Sequence, residues 1–361
     1  MATKKVFFVI GTRPEAIKLY PIIKDMENID NINVCVCITG QQRQLLDKIK
    51  AELGIKADYD LDVMTPGQPL ASLTSKLIAA ISQTIELESP DLVMVQGDTA
   101  SALCGAWSGF YAQVPVAHVE AGLRTHEKYS PFPEEINRQM ISRIATIHFC
   151  PTKNNQANLL AEGIKENIYI TGNTGLDTIA RISKQTATKA DSKPYIIYTV
   201  HRRENRLHLK TLAQQIIRLT TELTSYEHIY IQHPNPSTSL KKVLISTESP
   251  RVIPPLDYKN MVHTLKQAAL VITDSGGLIE ECSFLGIPSI ILRTSTERQE
   301  SLAEESSIIC SPALDNLYSM ATDLLSNDEQ ITKMSLPSTA FGDGRSSSRV
   351  VELILSYFNQ R

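Results

Sequence analysis

Short apolar runs of strand length, rich in Val and Ile, recur along nearly the whole chain and alternate with segments of helical periodicity. They fall at Val6 to Ile10, Val34 to Ile38, Leu92 to Val95, Val114 to Val119, Ile147 to Cys150 and Ile168 to Ile170. They resume at Tyr195 to Val200, Ile229 to Ile231, Val252 to Ile253, Leu270 to Thr273, Ser289 to Leu292 and Ile308 to Cys310. A strand without polar alternation has both faces covered, so the pattern implies parallel sheets with helices on either side. Between the two series lies Arg181 to Lys193, polar and basic, which reads as a linker. The expectation is an α/β chain of two doubly wound domains facing a central cleft, residues 1–180 and 194–344, a division that suits 361 residues. An amphipathic helix over 345–361 follows Gly342-Asp343-Gly344 and is expected to pack back toward the first domain. Ligands of such sheets bind beyond the carboxyl ends of the strands.

Composition narrows the function classes. Hydrophobic residues are 42% and charged residues 21%, ample for two cores, and the net charge of -3 argues against a nucleic-acid partner. No apolar run approaches the roughly 18 residues of a membrane helix. The start, Met-Ala-Thr-Lys-Lys, leads into an apolar run too short for a signal peptide, so a cytoplasmic enzyme is expected. Cys35, Cys37, Cys104, Cys150, Cys282 and Cys310 sit mostly inside apolar runs and read as reduced core thiols, with metal binding at Cys35-Val-Cys37 a minor alternative.

Chemistry-bearing residues gather where the strands end. Leu270 to Glu281 reads strand, turn, helix, and Ser275-Gly276-Gly277 places bare backbone at a helix N-terminus, where unpaired N–H groups and the dipole favour an anion. It is either a phosphate cradle or an ordinary turn capped by Asp274 or Ser275. Glu280 and Glu281 follow one turn later, where a carboxylate can accept from sugar or ribose hydroxyls. The first strand ends in Gly11-Thr12-Arg13-Pro14-Glu15-Ala16-Ile17-Lys18; Arg13 suits a diphosphate, while Lys18 alone reads as a solvated helix lysine. Gln41-Gln42-Arg43 either binds anions or caps a helix.

Three carboxylates lie at strand or helix ends: Asp98 in Gln96-Gly97-Asp98-Thr99, Glu120 in Val119-Glu120-Ala121-Gly122, and Glu134 at the head of a helix. Singly, each has a plain reading, as an N-cap, a loop charge and a first-turn residue. Together they suit proton transfer, because like charges in one cleft raise one another's pKa. Arg138 shares a helical face with Glu134. In the second half, Thr199-Val200-His201-Arg202-Arg203-Glu204 is an anion-binding candidate with His201 a possible acid or base. Gln232-His233-Pro234 is a rigid loop after the next strand, and Thr296, Glu297 and Arg298 can reach the same ligand as the glycine turn.

With these motifs assembled, the sequence resembles the non-hydrolysing UDP-N-acetylglucosamine 2-epimerases. The match is carried by Gly-Thr-Arg-Pro-Glu-Ala-Ile-Lys, Gly-Asp-Thr, His-Val-Glu-Ala-Gly-Leu-Arg-Thr, Pro-Glu-Glu-Ile-Asn-Arg, His-Arg-Arg-Glu, Thr-Asp-Ser-Gly-Gly and Thr-Glu-Arg. The resemblance implies two Rossmann-like domains in the glycosyltransferase-B architecture. It implies reversible C2 epimerisation of UDP-N-acetylglucosamine to UDP-N-acetylmannosamine through anti elimination of UDP, a 2-acetamidoglucal and re-addition. It further implies Asp98, Glu120, Glu134 and His201 as the catalytic set. Arg13, Lys18, Arg138, His233, Ser275, Gly276, Gly277, Glu281 and Arg298 are the implied substrate-binding residues. No cofactor or metal is implied; a homodimer is, as is a product that supplies cell-surface polysaccharide.

The chain departs from the family at three places. Gln42 replaces the histidine of a Gln-His-Arg segment, which bears on a candidate regulatory site at Gln41 and Arg43. Met261 stands where an aromatic residue often lies beside uracil, and the stretch after Thr296-Glu297-Arg298 lacks Pro-Glu-Ala. The rival readings are a 2-epimerase of another UDP-2-acetamido sugar, a hydrolysing epimerase, a glycosyltransferase of the same architecture and a non-catalytic UDP-sugar sensor.

Overall fold

The computed structural model describes residues 3–360 apart from 42, 66, 185–192, 233–243, 245–248, 295–298 and 314. The chain divides into two compact units, Met1–Ala180 with Gly342–Arg361, and Arg181–Phe341. In the first, strands β1 (Lys4–Ile10), β2 (Ile32–Ile38), β3 (Tyr59–Asp60), β4 (Leu92–Gln96), β5 (Val116–Val119), β6 (Ile147–Cys150) and β7 (Ile168–Ile170) form a sheet in the order β3-β2-β1-β4-β5-β6-β7, every pairing parallel. In the second, β8 (Tyr195–Thr199), β9 (Glu227–Ile231), β10 (Arg251–Ile253), β11 (Ala268–Thr273), β12 (Ser289–Ile291) and β13 (Ser307–Ile309) run β10-β9-β8-β11-β12-β13, again all parallel. Each is Rossmann-like, and each order reverses direction once, between β1 and β4 and between β8 and β11. At such a switch the neighbouring connections leave toward opposite faces and open a crevice at the strands' carboxyl ends.

The strands are apolar throughout because both faces are covered. Phe7 and Val9 pack with Leu77, Ile81 and Ile85 of α3 (Leu70–Glu88) and with Cys104 of α4 (Ala100–Tyr111). In β8 the period of two is visible directly. Ile196 and Tyr198 face Leu212, Ile216 and Leu219 of α8 (Leu209–Glu222), whereas Ile197 faces the opposite cluster with Leu265 and Cys282. All six cysteines are buried free thiols. The remaining helices used below are α1 (Arg13–Met26), α2 (Arg43–Leu53), α5 (Glu134–Ile144), α6 (Lys153–Ala161), α7 (Thr174–Ser183), α9 (Tyr258–Leu265) and α10 (Gly276–Leu285). Four more, α11 (Gln299–Ala303), α12 (Leu317–Ser326), α13 (Asp328–Met334) and α14 (Ser346–Asn359), complete the described set. Helix α14 packs on α1, and Asp177 of α7 accepts from the Ser347 backbone and hydroxyl at 2.8 Å each.

Two expectations are corrected. Arg181, Ile182 and Ser183, read as linker, continue α7. The edge strand β3 went unread, because two residues carry no periodic signal. Among the described residues, no helix is long and apolar enough to cross a membrane.

Candidate active site

In the first unit the switch point brings the turn after β1 against the head of α4. Gly11 is required by that approach: a Cβ there would lie 2.5 Å from the Ser101 Cβ. Glu15, in the first turn of α1, is buried. Its Oε2 accepts from the backbone of Gly11 and Thr12 at 2.6 Å each, and its Oε1 from the Thr99 hydroxyl. Burial pushes Glu15 up to about 7 against those donors.

Asp98 ends the turn after β4. Its carboxylate accepts from Arg138 of α5 at 2.5 Å and its carbonyl from the Asn137 amide at 2.8 Å. Burial raises its pKa and the nearby Glu120 adds to the rise, while Arg138 and Lys18 pull the other way. Glu120 follows β5 with φ +66°, a left-handed conformation that costs a side-chain-bearing residue about 1–2 kcal/mol. That geometry delivers its carboxylate to Lys18 at Oε1 and to the Gln96 amide at Oε2. Gly97 beneath it is held by His118, whose Nε2 donates to the Gly97 carbonyl at 2.7 Å. Burial pushes His118 down to about 3, so the ring is neutral. Glu134 opens α5, and its buried Oε2 finds no hydrogen-bond partner among the described residues. Arg138, one turn on, pairs with Asp98 through one terminal nitrogen and lies 3.4 Å from Glu135 through the other, while its buried Nε has no hydrogen-bond partner among the described residues.

In the second unit the switch point is organised by Asp274, which is fully buried at the end of β11. Its carboxylate accepts from the backbone of His201 at 3.0 Å, the backbone of Arg202 at 2.9 Å and the Asn205 amide at 2.8 Å, while its carbonyl accepts from Arg202 Nε at 2.8 Å. The His201 ring lies 3.5 Å from the same carboxylate. Burial lowers the His201 pKa, Asp274 raises it and Arg202 lowers it further; the sum is a depressed value. The plain reading of the glycine turn is therefore corrected: Asp274 reaches back to the loop after β8 instead of capping α10, and Ser275 makes no side-chain cap either. Among the described residues no side chain caps the first amides of α10, and a Cβ built on Gly277 would meet nothing within 4 Å. Glu281, one turn along, accepts from the Tyr258 hydroxyl at 3.0 Å.

The structure thus joins Lys18, Asp98, Glu120 and Arg138 in one unit and His201, Ser275, Gly276 and Gly277 in the other. The solvated-lysine reading of Lys18 is overturned by its ion pair with Glu120. Arg13 sits in the turn whose amides Glu15 holds. Gln41 accepts from the Ser101 backbone and hydroxyl at 3.1 and 2.7 Å, and Arg43 is drawn to Asp47, Asp60 and Asp62 on the exposed head of α2. His233, Arg298, Gln42, Thr296 and Glu297 lie outside the described residues. Sequence reasoning missed Gln96, Glu15 and the clasp made by Asp274 and Asn205. Gln96 carried a signal, a polar residue ending an apolar strand; Asn205 carried none.

Known proteins share this fold. The family model described as UDP-N-acetylglucosamine 2-epimerase matches residues 24–355. The UDP-N-acetylglucosamine 2-epimerase of Bacillus subtilis is 36% identical over 100% of this chain and 97% of its own length. A crystal structure of the Neisseria meningitidis UDP-GlcNAc 2-epimerase bound to UDP-GlcNAc superposes with a TM-score of 0.89 at 34% identity, covering 98% of this chain and 100% of that one. The Methanocaldococcus jannaschii UDP-GlcNAc 2-epimerase, solved with UDP-GlcNAc and UDP, gives 0.84 at 31% identity, covering 98% and 99%. Two Rossmann-like units of this kind are the components of the glycosyltransferase-B class.

Proposed function

The chain belongs to the UDP-N-acetylglucosamine 2-epimerase family and is an isomerase, and from that premise we propose that it interconverts UDP-N-acetylglucosamine and UDP-N-acetylmannosamine without hydrolysis. A base removes the C2 proton; the C2–H electron pair becomes the C1–C2 double bond; and the C1–O bond breaks with its electrons leaving on UDP. The 2-acetamidoglucal then takes UDP back at C1 and a proton on the other face of C2. The observation that carries this reading is the contrast between two neighbouring carboxylates. Glu120 is held in place by hydrogen bonds from Lys18 and the Gln96 amide. Asp98 beside it is raised by burial and by the charge of Glu120, which favours holding a proton. Two neighbouring carboxylates in such different surroundings supply an acid and a base, and Glu134 completes the set.

In this reading Arg13 and Arg138 bind the diphosphate or sugar, the Ser275 hydroxyl and the amides of Gly276 and Gly277 take negative charge as UDP leaves, and Glu281 takes the ribose. Neutral His201 stands by the leaving group. The product feeds cell-surface polysaccharide as an N-acetylmannosamine-type donor. A proton NMR time course with UDP-N-acetylglucosamine in D2O tests the proposal. UDP-N-acetylmannosamine with deuterium at C2 of both sugars is the expected result; free UDP with N-acetylmannosamine marks a hydrolysing enzyme, and absence of exchange overturns the reading.

A further inference from the structure

Resting on that epimerase reading, we propose that Glu15 is a positioning residue, which clasps the turn bearing Arg13 to the turn bearing Asp98 and so sets the distance between a substrate-binding cation and an acid/base carboxylate. The argument begins with what a helix cap alone requires. A glutamate in the first turn satisfies the preceding backbone N–H from an exposed position, with no further partner. Glu15 does more than this. It is 1% exposed, and its second oxygen accepts from Thr99, 84 residues away on the neighbouring strand end.

The bonds form a directed chain. The Ala102 N–H donates to Thr99 Oγ1 at 3.1 Å, and the Thr99 hydroxyl proton goes to Glu15 Oε1. The Gly11 and Thr12 amides converge on Oε2. Every contact delivers a proton toward the carboxylate, so neither turn can shift without stranding a buried donor. The closeness of Gly11 to Ser101 leaves no room for a side chain between the two turns. Asp98 is gripped from the far side by Asn137 and Arg138, and Glu15 supplies the grip on the near side.

Thr99→Val removes the Thr99–Glu15 bond between the turns, together with the cap that Thr99 offers the Ala102 N–H, and leaves the contacts to Gly11 and Thr12 in place. Turnover is expressed per UDP-binding chain, counted by calorimetric titration with UDP, so a misfolded fraction does not register as lost kcat. The clasp predicts kcat roughly 10- to 100-fold lower, the order expected of a misplacement near 1 Å, with little change in KM. Thr99→Ser, which returns the hydroxyl, recovers the loss. Glu15→Gln lowers kcat similarly and raises KM as well, because it also frees the Arg13 turn. Wild-type kcat in Thr99→Val, or a Thr99→Ser enzyme as slow as Thr99→Val, overturns the positioning role while the active wild type upholds the epimerase reading. A wild-type chain that does not turn over the nucleotide sugar overturns both.

Discussion

Lys18 of α1 and Glu120 of the turn after β5, 102 residues apart in sequence, form a largely buried ion pair with side chains 19% and 12% exposed. At that burial the pair is screened far less than a surface one, so removing either partner leaves a charge in poor solvent. Glu120→Gln is expected to lower kcat by about 10²- to 10⁴-fold, the range for a lost general acid or base. Lys18→Met should cost about 10²-fold by misplacing the carboxylate it holds. Because both act at one point, the double variant should be no slower than Glu120→Gln. Additive losses in steady-state kinetics would show that Lys18 serves some other group.

Glu134 presents a different balance. Its buried Oε2 has no hydrogen-bond partner among the described residues, a cost to folding that a substrate-facing group can carry and a structural one has no reason to. Glu134→Gln should therefore abolish deuterium exchange at C2 while leaving the melting temperature unchanged or higher. A variant that keeps turnover and melts early would make Glu134 a structural residue.

Asp274 joins the loop carrying His201 to the head of α10 through three donors on one carboxylate. In Asp274→Asn an amide proton meets N–H groups that need an acceptor, and a buried donor left unmet costs about 1–3 kcal/mol. The expected result is UDP binding weaker by roughly 5- to 150-fold, the same energy read as affinity, together with a lower melting temperature. Unchanged UDP affinity by calorimetry would separate the clasp from the ligand.

The sheets were legible in the sequence because parallel strands buried on both faces become uninterrupted apolar runs. Ile147–Cys150 and Ile168–Ile170 match the runs residue for residue. Elsewhere the polar ends escaped notice: Lys4 and Lys5 open β1, and Glu227 and His228 open β9. Asp98 and Glu120 could be picked out because a charged residue at the end of an apolar strand is conspicuous. Lys18 could not, since its partner lies in a distant segment and a helix lysine alone is indistinguishable from a solvated one. Asp274 was legible only as a cap, and Glu15 went unread. Each satisfies a second element brought near by the strand order, and that order is not encoded in any local pattern.

Acid should loosen the second unit through its histidines. His228 is buried between the Tyr198 hydroxyl, at 2.8 Å from Nδ1, and the Leu223 carbonyl, at 3.1 Å from Nε2, and burial lowers its pKa. His201 is depressed as well, chiefly by burial. Both are neutral when folded and have an ordinary value of about 6.5 when unfolded, so below that pH the unfolded chain binds more protons. Their contribution is complete above about pH 6.5 and is lost as pH falls toward the folded pKa values, with a slope of at most about 2.7 kcal/mol per pH unit for two protons. The first unit behaves differently. His118 and His148 are depressed there to about 3 and about 4, but Glu15 is raised to about 7 and Asp98 and Asp177 are raised as well, so protons taken up by the histidines on unfolding are offset in part by protons the carboxyls release. Hydrogen exchange followed from pH 7 to pH 5, corrected for its intrinsic pH dependence, should show protection of β8, β9 and β11 falling more steeply than that of β1, β4 and β5. His228→Gln keeps an acceptor for Tyr198 and a donor for Leu223 without the titration, and should reduce the second unit's slope by at most about 1.4 kcal/mol per pH unit. Equal slopes in the two units, or no change in the variant, would show that buried histidines do not set the acid limit.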